Sequence, residues 1–366
     1  MSLFTNFTFK WLRWRRPTAP LQPLPDGIER FFIDTPGGKI EVLHAHPQPP
    51  QQTPPPPTAT ETHRPHANAP PLFFVHGGMG GAWVWLEYLR FFAARGVPCY
   101  AVSLRGHGGS YYPSYLRMVY ATTKRMLADD VLAGLRWAQE REAGREVVLV
   151  GHSSGGGLCQ FVLSEGEARV RALVLVAAVP GFGSDRVYQN WMKLDPWFIP
   201  RMIFHLWHPN SPLSHPAMTR RAFFSDEQTD AYVEAFQDKA SPYESFVWAL
   251  GMTKPFINQQ NVLSQTTGSG NGQRVMVLSG ELDKIMTLPI MEDLAHTYRT
   301  TYSKMVQQQQ LQGEDAEVVP ILGEGDRDNT GHGVRYCLVP RAGHHLQNDV
   351  PWEIGAHRLL AFYEQL

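Results

Sequence analysis

A serine between glycines, directly after an apolar run, most constrains what this chain can fold into. Residues 147–150 have the apolar character of a buried strand, and Gly-His-Ser-Ser-Gly follows at residues 151–155. A sharp turn from strand to helix crowds the backbone, and glycine at either end avoids the clash that a Cβ would make. The pattern therefore predicts a turn that projects the hydroxyl of Ser153 outward as a nucleophile.

A plain tight turn is the alternative interpretation, in which the serine only caps the following helix. The strand before the pentapeptide and the helix-like residues 158–163 after it are the context that a nucleophile requires. That context favours the nucleophile, with Gly151 and Gly155 as supporting residues.

Strand-like and helix-like segments alternate along most of the chain. Strands are predicted at 72–75, 99–104, 147–150, 172–179, 275–278 and 336–339, helices at 82–95, 120–143 and 352–366, and a β-hairpin at 29–45. Such alternation is typical of an α/β fold with a doubly wound, mostly parallel sheet.

Three segments interrupt this alternation. Residues 181–272 are rich in aromatic side chains and have helical periodicity, which predicts an inserted helical lid. Residues 303–333 predict a flexible polar loop, and the proline-rich residues 47–71 predict an exposed, semi-extended loop. The core is then expected to comprise residues 26–180 and 273–366.

The N-terminal tail, residues 1–25, is basic and aromatic. It contains Lys10, Arg13, Arg15 and Arg16 among five Phe and Trp residues, and it has no Asp or Glu. This composition predicts peripheral contact with a membrane surface or a mitochondrial presequence. The alternative is an irregular tail without a specific role.

Composition narrows the class of protein. With 366 residues, 43% hydrophobic content and a net charge of -1, the chain can bury one large core, and nothing in its charge predicts a nucleic-acid partner. No apolar run approaches the ~20 residues that cross a bilayer.

Cys99, Cys159 and Cys337 are predicted to be buried free thiols, which favours a reducing, cytoplasmic location. No nucleotide-binding motif is present, so no cofactor is expected.

A serine nucleophile needs a base, and the base needs a carboxylate that fixes its tautomer and stabilises its charged form. The acid candidates are Asp283, Glu281 and Asp185, and the base candidates are His344 and His345; all follow predicted strands. Parallel strands bring such loops to one edge of the sheet, where ligands bind in open α/β folds. Adjacent histidine side chains diverge and no third ligand has fitting spacing, so no metal is expected.

Five motifs occur in a characteristic order: His76-Gly77-Gly78, Leu104–Ser110, Gly151–Gly155, Gly280–Asp283 and Gly343–His345. Together they resemble the α/β-hydrolase superfamily, in the lidded group called AB hydrolase 1, and the insertions resemble those of filamentous-fungal members. In that family the acid lies three residues after a glycine, which is Gly280 in this sequence. The histidine directly follows another glycine, which is Gly343 here. The resemblance therefore implies Asp283 and His344 as partners of Ser153, although Ser103 stands where the family commonly has aspartate.

The resemblance also implies which backbone amides hold the oxyanion of the reaction. They are the amide of Ser154, directly after the nucleophile, and that of Gly78, in a loop supported by His76 and Gly77. Met79 interrupts a full His-Gly-Gly-Gly run. The sequence therefore does not decide between the amide of Gly78 and an amide one position away as the second donor.

The expected function is that of a serine hydrolase acting on an ester, thioester or lactone of a small apolar or aromatic metabolite through an acyl-enzyme. One alternative is a C–C bond hydrolase, lyase or cyclase of secondary metabolism that uses the same residues. A non-catalytic protein that only binds a small molecule is the other. His107 and His152 are expected to be structural.

Overall fold

Ten strands form one sheet in the computed structural model, which describes residues 7–47, 69–269 and 272–366. They are β1 (Ile28–Thr35), β2 (Gly38–Ala45), β3 (Leu72–Val75), β4 (Cys99–Val102), β5 (Val148–His152), β6 (Ala172–Val176), β7 (Val275–Gly280), β8 (Val319–Pro320), β9 (Asn329–Gly331) and β10 (Val334–Val339). The order across the sheet is β1-β2-β4-β3-β5-β6-β7-β10-β9-β8.

The centre of the sheet is parallel and its two edges are antiparallel. Strands β4, β3, β5, β6, β7 and β10 pair in parallel, whereas β1, β2, β8 and β9 pair antiparallel to their neighbours. The predicted α/β fold with a mostly parallel, doubly wound sheet is confirmed. The central strands are short apolar runs with every residue buried, because helices cover both faces of a parallel sheet.

Twelve α-helices lie within the described residues. They are α1 (Leu86–Ala93), α2 (Tyr115–Ala121), α3 (Lys124–Arg141), α4 (Ser153–Ser164), α5 (Asp185–Leu194), α6 (Phe198–Phe204), α7 (Pro216–Phe223), α8 (Asp230–Lys239), α9 (Phe246–Leu250), α10 (Gln259–Ser264), α11 (Leu288–Gln307) and α12 (Trp352–Tyr363). Helices α1 and α12 pack together on the sheet, and α3, α4, α10 and α11 form a second connected layer. Within the described residues, no helix is both long and apolar enough to cross a membrane.

Helices α5 to α9 form an insertion between β6 and β7, hereafter the helical insertion (residues 185–250). No strand occurs among its residues. Helix α10 falls within the segment predicted as a lid, yet it packs against α4 and α11 in the layer over the sheet.

Two sequence predictions need correction. Residues 120–143 are not one helix, because α2 ends at Ala121 and Thr122 is extended; Thr123 then caps α3 by accepting a hydrogen bond from Met126. Residues 303–333 are not simply a polar loop. The first five continue α11, and β8 and β9 extend the sheet by pairing antiparallel beside β10.

The structure describes most of the N-terminal tail but little of the proline-rich loop. Residues 7–25 contain no helix or strand but lie against the helical insertion, where Arg13 pairs with Asp238 at 3.1 Å. Most of the proline-rich stretch, residues 48–68, lies outside the described residues. The three cysteines are buried and free, as predicted.

A buried carboxylate explains how the chain tolerates Ser103. The Ser103 hydroxyl donates a 2.6 Å hydrogen bond to the carboxylate of Glu41 on β2, and it accepts one from the Ala82 amide. The Gly109 amide also donates to Glu41. Glu41 on a neighbouring strand thus places a carboxylate beside Ser103, the position where the resemblance leads us to expect an aspartate.

A second buried ion pair fixes the loop after β4 to helix α3. The Arg105 guanidinium donates two hydrogen bonds to Asp130, of 2.7 and 2.8 Å, and the Arg105 amide donates a third. Asp130 is fully buried, so neither charge can recover water if the other is lost.

We expect Asp130→Ala to lower the free energy of unfolding by about 3–5 kcal/mol, because it leaves a buried guanidinium unpaired. The preceding residue provides a matched control: Asp129 pairs with Arg125 at the surface, and Asp129→Ala should cost at most about 1 kcal/mol. Urea unfolding of both variants measures the difference. Equal effects would contradict a structural role for the buried pair.

Candidate active site

Ser153 stands at the junction of β5 and α4 in an unfavourable backbone conformation. Its φ of 52° lies in the left-handed region, which non-glycine residues rarely adopt. Two glycines make the turn possible: a Cβ on Gly155 would lie 2.1 Å from the His76 carbonyl oxygen, and one on Gly151 would lie 2.6 Å from the Gly156 Cα. Close backbone contact therefore holds the strained serine in place.

The side chains of Ser153, His344 and Asp283 form a chain of hydrogen bonds. His344 Nε2 lies 3.0 Å from Ser153 Oγ, and His344 Nδ1 lies 2.8 Å from Asp283 Oδ2. These distances suit an imidazole that donates from Nδ1 to the carboxylate and accepts at Nε2 from the hydroxyl. The structure thus brings together the three residues that the sequence singled out.

The backbone fixes the acid of this chain. Asp283 follows the end of β7, and its second oxygen, Oδ1, accepts hydrogen bonds of 2.8 Å from the amides of Ile285 and Met286. With one oxygen held by amides, the other stays directed at His344. The carboxylate is almost completely buried, so its interaction with the imidazole is little screened by water.

The rival acids lie elsewhere. Glu281 is exposed and accepts a hydrogen bond from the Arg341 amide. Asp185 pairs with Lys254 at the protein surface. Neither contacts a histidine in the described residues.

The rival histidine is packed among aromatic rings. His345 lies 4.7 Å from Phe223 and 4.8 Å from Phe236, measured between ring centroids, and its Nδ1 is 3.3 Å from the Asn348 side-chain oxygen. Burial lowers the pKa of His345 to about 3, which keeps this ring neutral at physiological pH. Its side-chain hydrogen bonds in the described part of the chain are to Asn348 and Gln347, not to Ser153 or Asp283.

Two further histidines support the backbone around the serine. His76 donates from Nδ1 to the Gly77 carbonyl and accepts at Nε2 from the Leu104 amide, so it ties the loop after β3 to the loop after β4. His152 lies beneath Ser153, with Nε2 at 3.0 Å from the His344 carbonyl oxygen. Burial holds the pKa of both rings well below the usual value, so they act as neutral hydrogen-bonding groups.

The loop after β3 places Gly78 beside the turn of the serine. A Cβ on Gly78 would lie 3.7 Å from Ser154 Oγ, so the two residues face each other across the site. The Met79 amide donates to Glu244 Oε2 at 2.9 Å and is already occupied. Of the two amides that the sequence left open, the geometry favours that of Gly78.

Glu244 is a site residue that the sequence did not reveal. It belongs to the helical insertion, and it also lies 2.8 Å from His107 Nε2 on the loop after β4. Burial opposes the charge on both side chains, but their mutual attraction outweighs it, so the pKa of Glu244 is lowered and that of His107 is raised. Because the two residues are 137 positions apart, no sequence spacing signals the pair.

Asp349 is a second residue that the sequence did not reveal. Its carboxylate accepts hydrogen bonds from the Gly343 amide, from the Val350 amide and from both the amide and hydroxyl of Ser225. Asp349 therefore connects the loop that carries His344 to Ser225 in the helical insertion.

A cavity of about 220 Å³ opens above Ser153. Ser153, His344 and Glu244 are among the residues that line it. The rest of its wall is largely apolar and comes from the helical insertion and its flanks, including Trp191, Phe198, Met202, Phe246, Trp248 and Met252. Such a wall suits an apolar group of a bound molecule.

Two clusters in the described residues have spacing that could hold a metal ion, and both lie outside this cavity. One is Glu29, His44 and His46 on the β1–β2 hairpin. The other is Glu324, Asp328 and Cys337, where the two acids are ion-paired with arginines.

Known proteins are similar to this chain in sequence and in fold. The model of a family described as "alpha/beta hydrolase fold" matches residues 70–310. Protein ABHD8 of Bos taurus is 35% identical over 105 residues, which cover 29% of this chain and 23% of that protein. A non-heme haloperoxidase of Rhodococcus erythropolis is 33% identical over 111 residues, which cover 30% of this chain and 37% of that protein. The match thus covers well under half of each curated relative.

A solved structure has the same architecture over almost the whole chain. A thermophilic esterase from Thermogutta terrifontis superposes with a TM-score of 0.56 at 18% identity. The superposition covers 92% of this chain and 100% of the esterase. At this identity the likeness shows a shared fold.

We expect the contribution of the His107–Glu244 pair to stability to be largest between pH 4.5 and 6.5, the ordinary pKa values of the two side chains. It should decline as the pH rises through the raised pKa of His107, and also as the pH falls through the lowered pKa of Glu244. The destabilisation caused by His107→Gln, measured by urea unfolding, should therefore be greater in that window than at alkaline pH.

His296→Gln is the control for this comparison, because His296 is exposed on α11 and has no carboxylate partner in the described residues. Its effect on stability should be small, because changes at exposed positions away from special contacts cost little. A pH-independent effect of His107→Gln would contradict a charged pair.

Proposed function

This chain belongs to the α/β-hydrolase fold family, and on that basis we propose that it is a serine hydrolase. Its substrate is an ester, thioester or lactone of a small apolar or aromatic molecule. The proposal is carried by one observation: His344 lies within hydrogen-bond distance of both Ser153 Oγ and Asp283 Oδ2.

Acylation begins at the serine. Ser153 Oγ attacks the substrate carbonyl carbon while His344 Nε2 takes the hydroxyl proton, and the carbonyl π electrons move to oxygen. Asp283 stabilises the imidazolium that forms. The backbone amides that receive the negative charge are positioned by the fold and do not have to reorganise during this step.

The oxyanion is held by the amides of Gly78 and Ser154, each of which typically contributes about 3–4 kcal/mol to stabilisation of the transition state. When the intermediate collapses, His344 returns its proton to the leaving oxygen or sulfur and the acyl group remains on Ser153. Water then attacks the acyl-enzyme with His344 again as the base, which releases the acid and restores the serine.

The cavity wall supports the apolar substrate. Its aromatic and methionine side chains can cover an acyl chain or an aromatic ring, while Ser153, His344 and Glu244 supply polar groups. A charged substrate would lose water in this cavity without a matching partner, apart from the carboxylate of Glu244, which is already paired.

A fluorophosphonate probe, which reacts with an activated serine, tests the nucleophile. Wild type should be labelled and Ser153→Ala should not, with ester turnover reduced about 10⁶-fold. Ser264→Ala, an exposed serine on α10, is the control and should be labelled as wild type is. Equal labelling of wild type and Ser153→Ala would overturn the proposal and favour a protein that only binds its ligand.

The choice of acid is tested by two carboxylates two positions apart. Asp283→Asn should reduce kcat about 10⁴-fold, because the amide favours the wrong tautomer of His344. Glu281→Gln should leave kcat within about twofold, since surface changes away from the site have small effects. The comparison uses steady-state kinetics with a soluble aryl ester, and a larger loss in Glu281→Gln would assign the acid role to that residue.

A further inference from the structure

Helix α6 presents large apolar side chains to solvent. Ile203 is 57% exposed, and Leu206 and Trp207 in the following turn are 72% and 51% exposed. Trp197, Ile199 and Phe204 are exposed beside them. A contiguous apolar surface of this kind is uncommon on a protein that stays free in water, and it indicates an interaction site.

The opposite side of the same helix is apolar as well. Phe198 and Met202, one turn apart, line the cavity above Ser153, while Ile199 and Ile203 face outward. A helix at a water-exposed surface normally carries polar residues on its outer side. Helix α6 is therefore suited to an apolar environment on both sides.

The turn after α6 holds its apolar side chains outward at a conformational cost. Leu206 and Trp207 have φ values of 54° and 57°, so two consecutive bulky residues adopt the left-handed conformation. The Trp207 amide donates to the Met202 carbonyl, which fixes the turn. Strain of this kind at exposed apolar residues points to a function rather than to packing.

The N-terminal tail extends the same surface. Phe7 and Phe9 lie 5.5 and 5.2 Å from Phe204 between ring centroids, and Trp14 lies 4.8 Å from His208. The tail and the insertion thus form one aromatic face, which we define as residues 7–16 together with 197–208.

The charged residues of the aromatic face are all basic, apart from its histidines. It contains five Lys and Arg residues and no Asp or Glu. Asp238 and Asp195 border it, and each pairs with one of its arginines. Arg15 and Arg16 are exposed and form no ion pair within the residues that the structure describes.

We propose that the aromatic face binds the surface of a membrane that contains anionic phospholipid. The exposed aromatic and aliphatic side chains insert at the level of the headgroups, and the tail arginines contact the lipid phosphates. A second copy of this chain would bring two positively charged faces together, so charge complementarity favours lipid. This binding is independent of the proposed hydrolysis.

The full-length protein should co-sediment with vesicles of phosphatidylcholine and phosphatidylserine more than with vesicles of phosphatidylcholine alone, and added salt should weaken the binding. The double variant Leu206→Asn, Trp207→Asn removes both apolar side chains but keeps residues that tolerate a positive φ. Its partition onto the mixed vesicles should fall at least about tenfold.

Leu322→Asn is the matched control, because Leu322 is 96% exposed and lies far from this face in the sequence, and its binding should equal that of wild type. Arg15→Gln, Arg16→Gln should reduce binding to the mixed vesicles roughly tenfold. Thermal unfolding followed by circular dichroism should give a similar Tm for every variant.

Several outcomes would overturn the proposal. One is wild type that stays in the supernatant with mixed vesicles, and another is a Leu206→Asn, Trp207→Asn variant that binds as wild type does. A concentration-dependent dimer that this variant converts to monomer, without vesicle binding, would assign the face to a second copy. Ser153→Ala should bind vesicles as wild type does, so failure of the hydrolase proposal and failure of this one are separate results.

Discussion

The contact between the first turn of α4 and the loop after β3 is the constraint on which the site depends. No Cβ fits at Gly155 against the His76 carbonyl, and this approach holds Ser153 in its left-handed conformation. The same contact sets the distance from the serine to the loop that carries Gly78. Ser153 and the loop that carries Gly78 are thereby fixed relative to each other by backbone packing.

The helical insertion does more than cover the cavity. Glu244 holds the Met79 amide and pairs with His107, so the insertion helps shape the loop that carries Gly78. Asp349 joins Ser225, beyond the end of α7, to the loop that carries His344. Two of the three loops around Ser153 therefore depend on contacts with the insertion, and the core alone would leave both of them less ordered.

The parts of this structure that the sequence predicts are those encoded locally. The apolar run 148–150 and the glycine-flanked serine specify a strand and a turn through neighbours alone, and strand order then brings Asp283 and His344 to the same edge. The break between α2 and α3 was not predictable, because Thr122 is held by a hydrogen bond from the distant Ser245. The short strands β8 and β9 were missed for a similar reason, since edge pairing beside β10 overrides a polar composition.

The link through Asp349 has a mechanical consequence. If the end of α7 swings away from the core, the Ser225 hydrogen bonds pull on Asp349, which also anchors the Gly343 amide next to His344. Widening the cavity on that flank would at the same time move His344 away from Ser153 and Asp283. Helix α6 has no such direct connection, because no hydrogen bond in the described residues joins it to the Asp349 carboxylate.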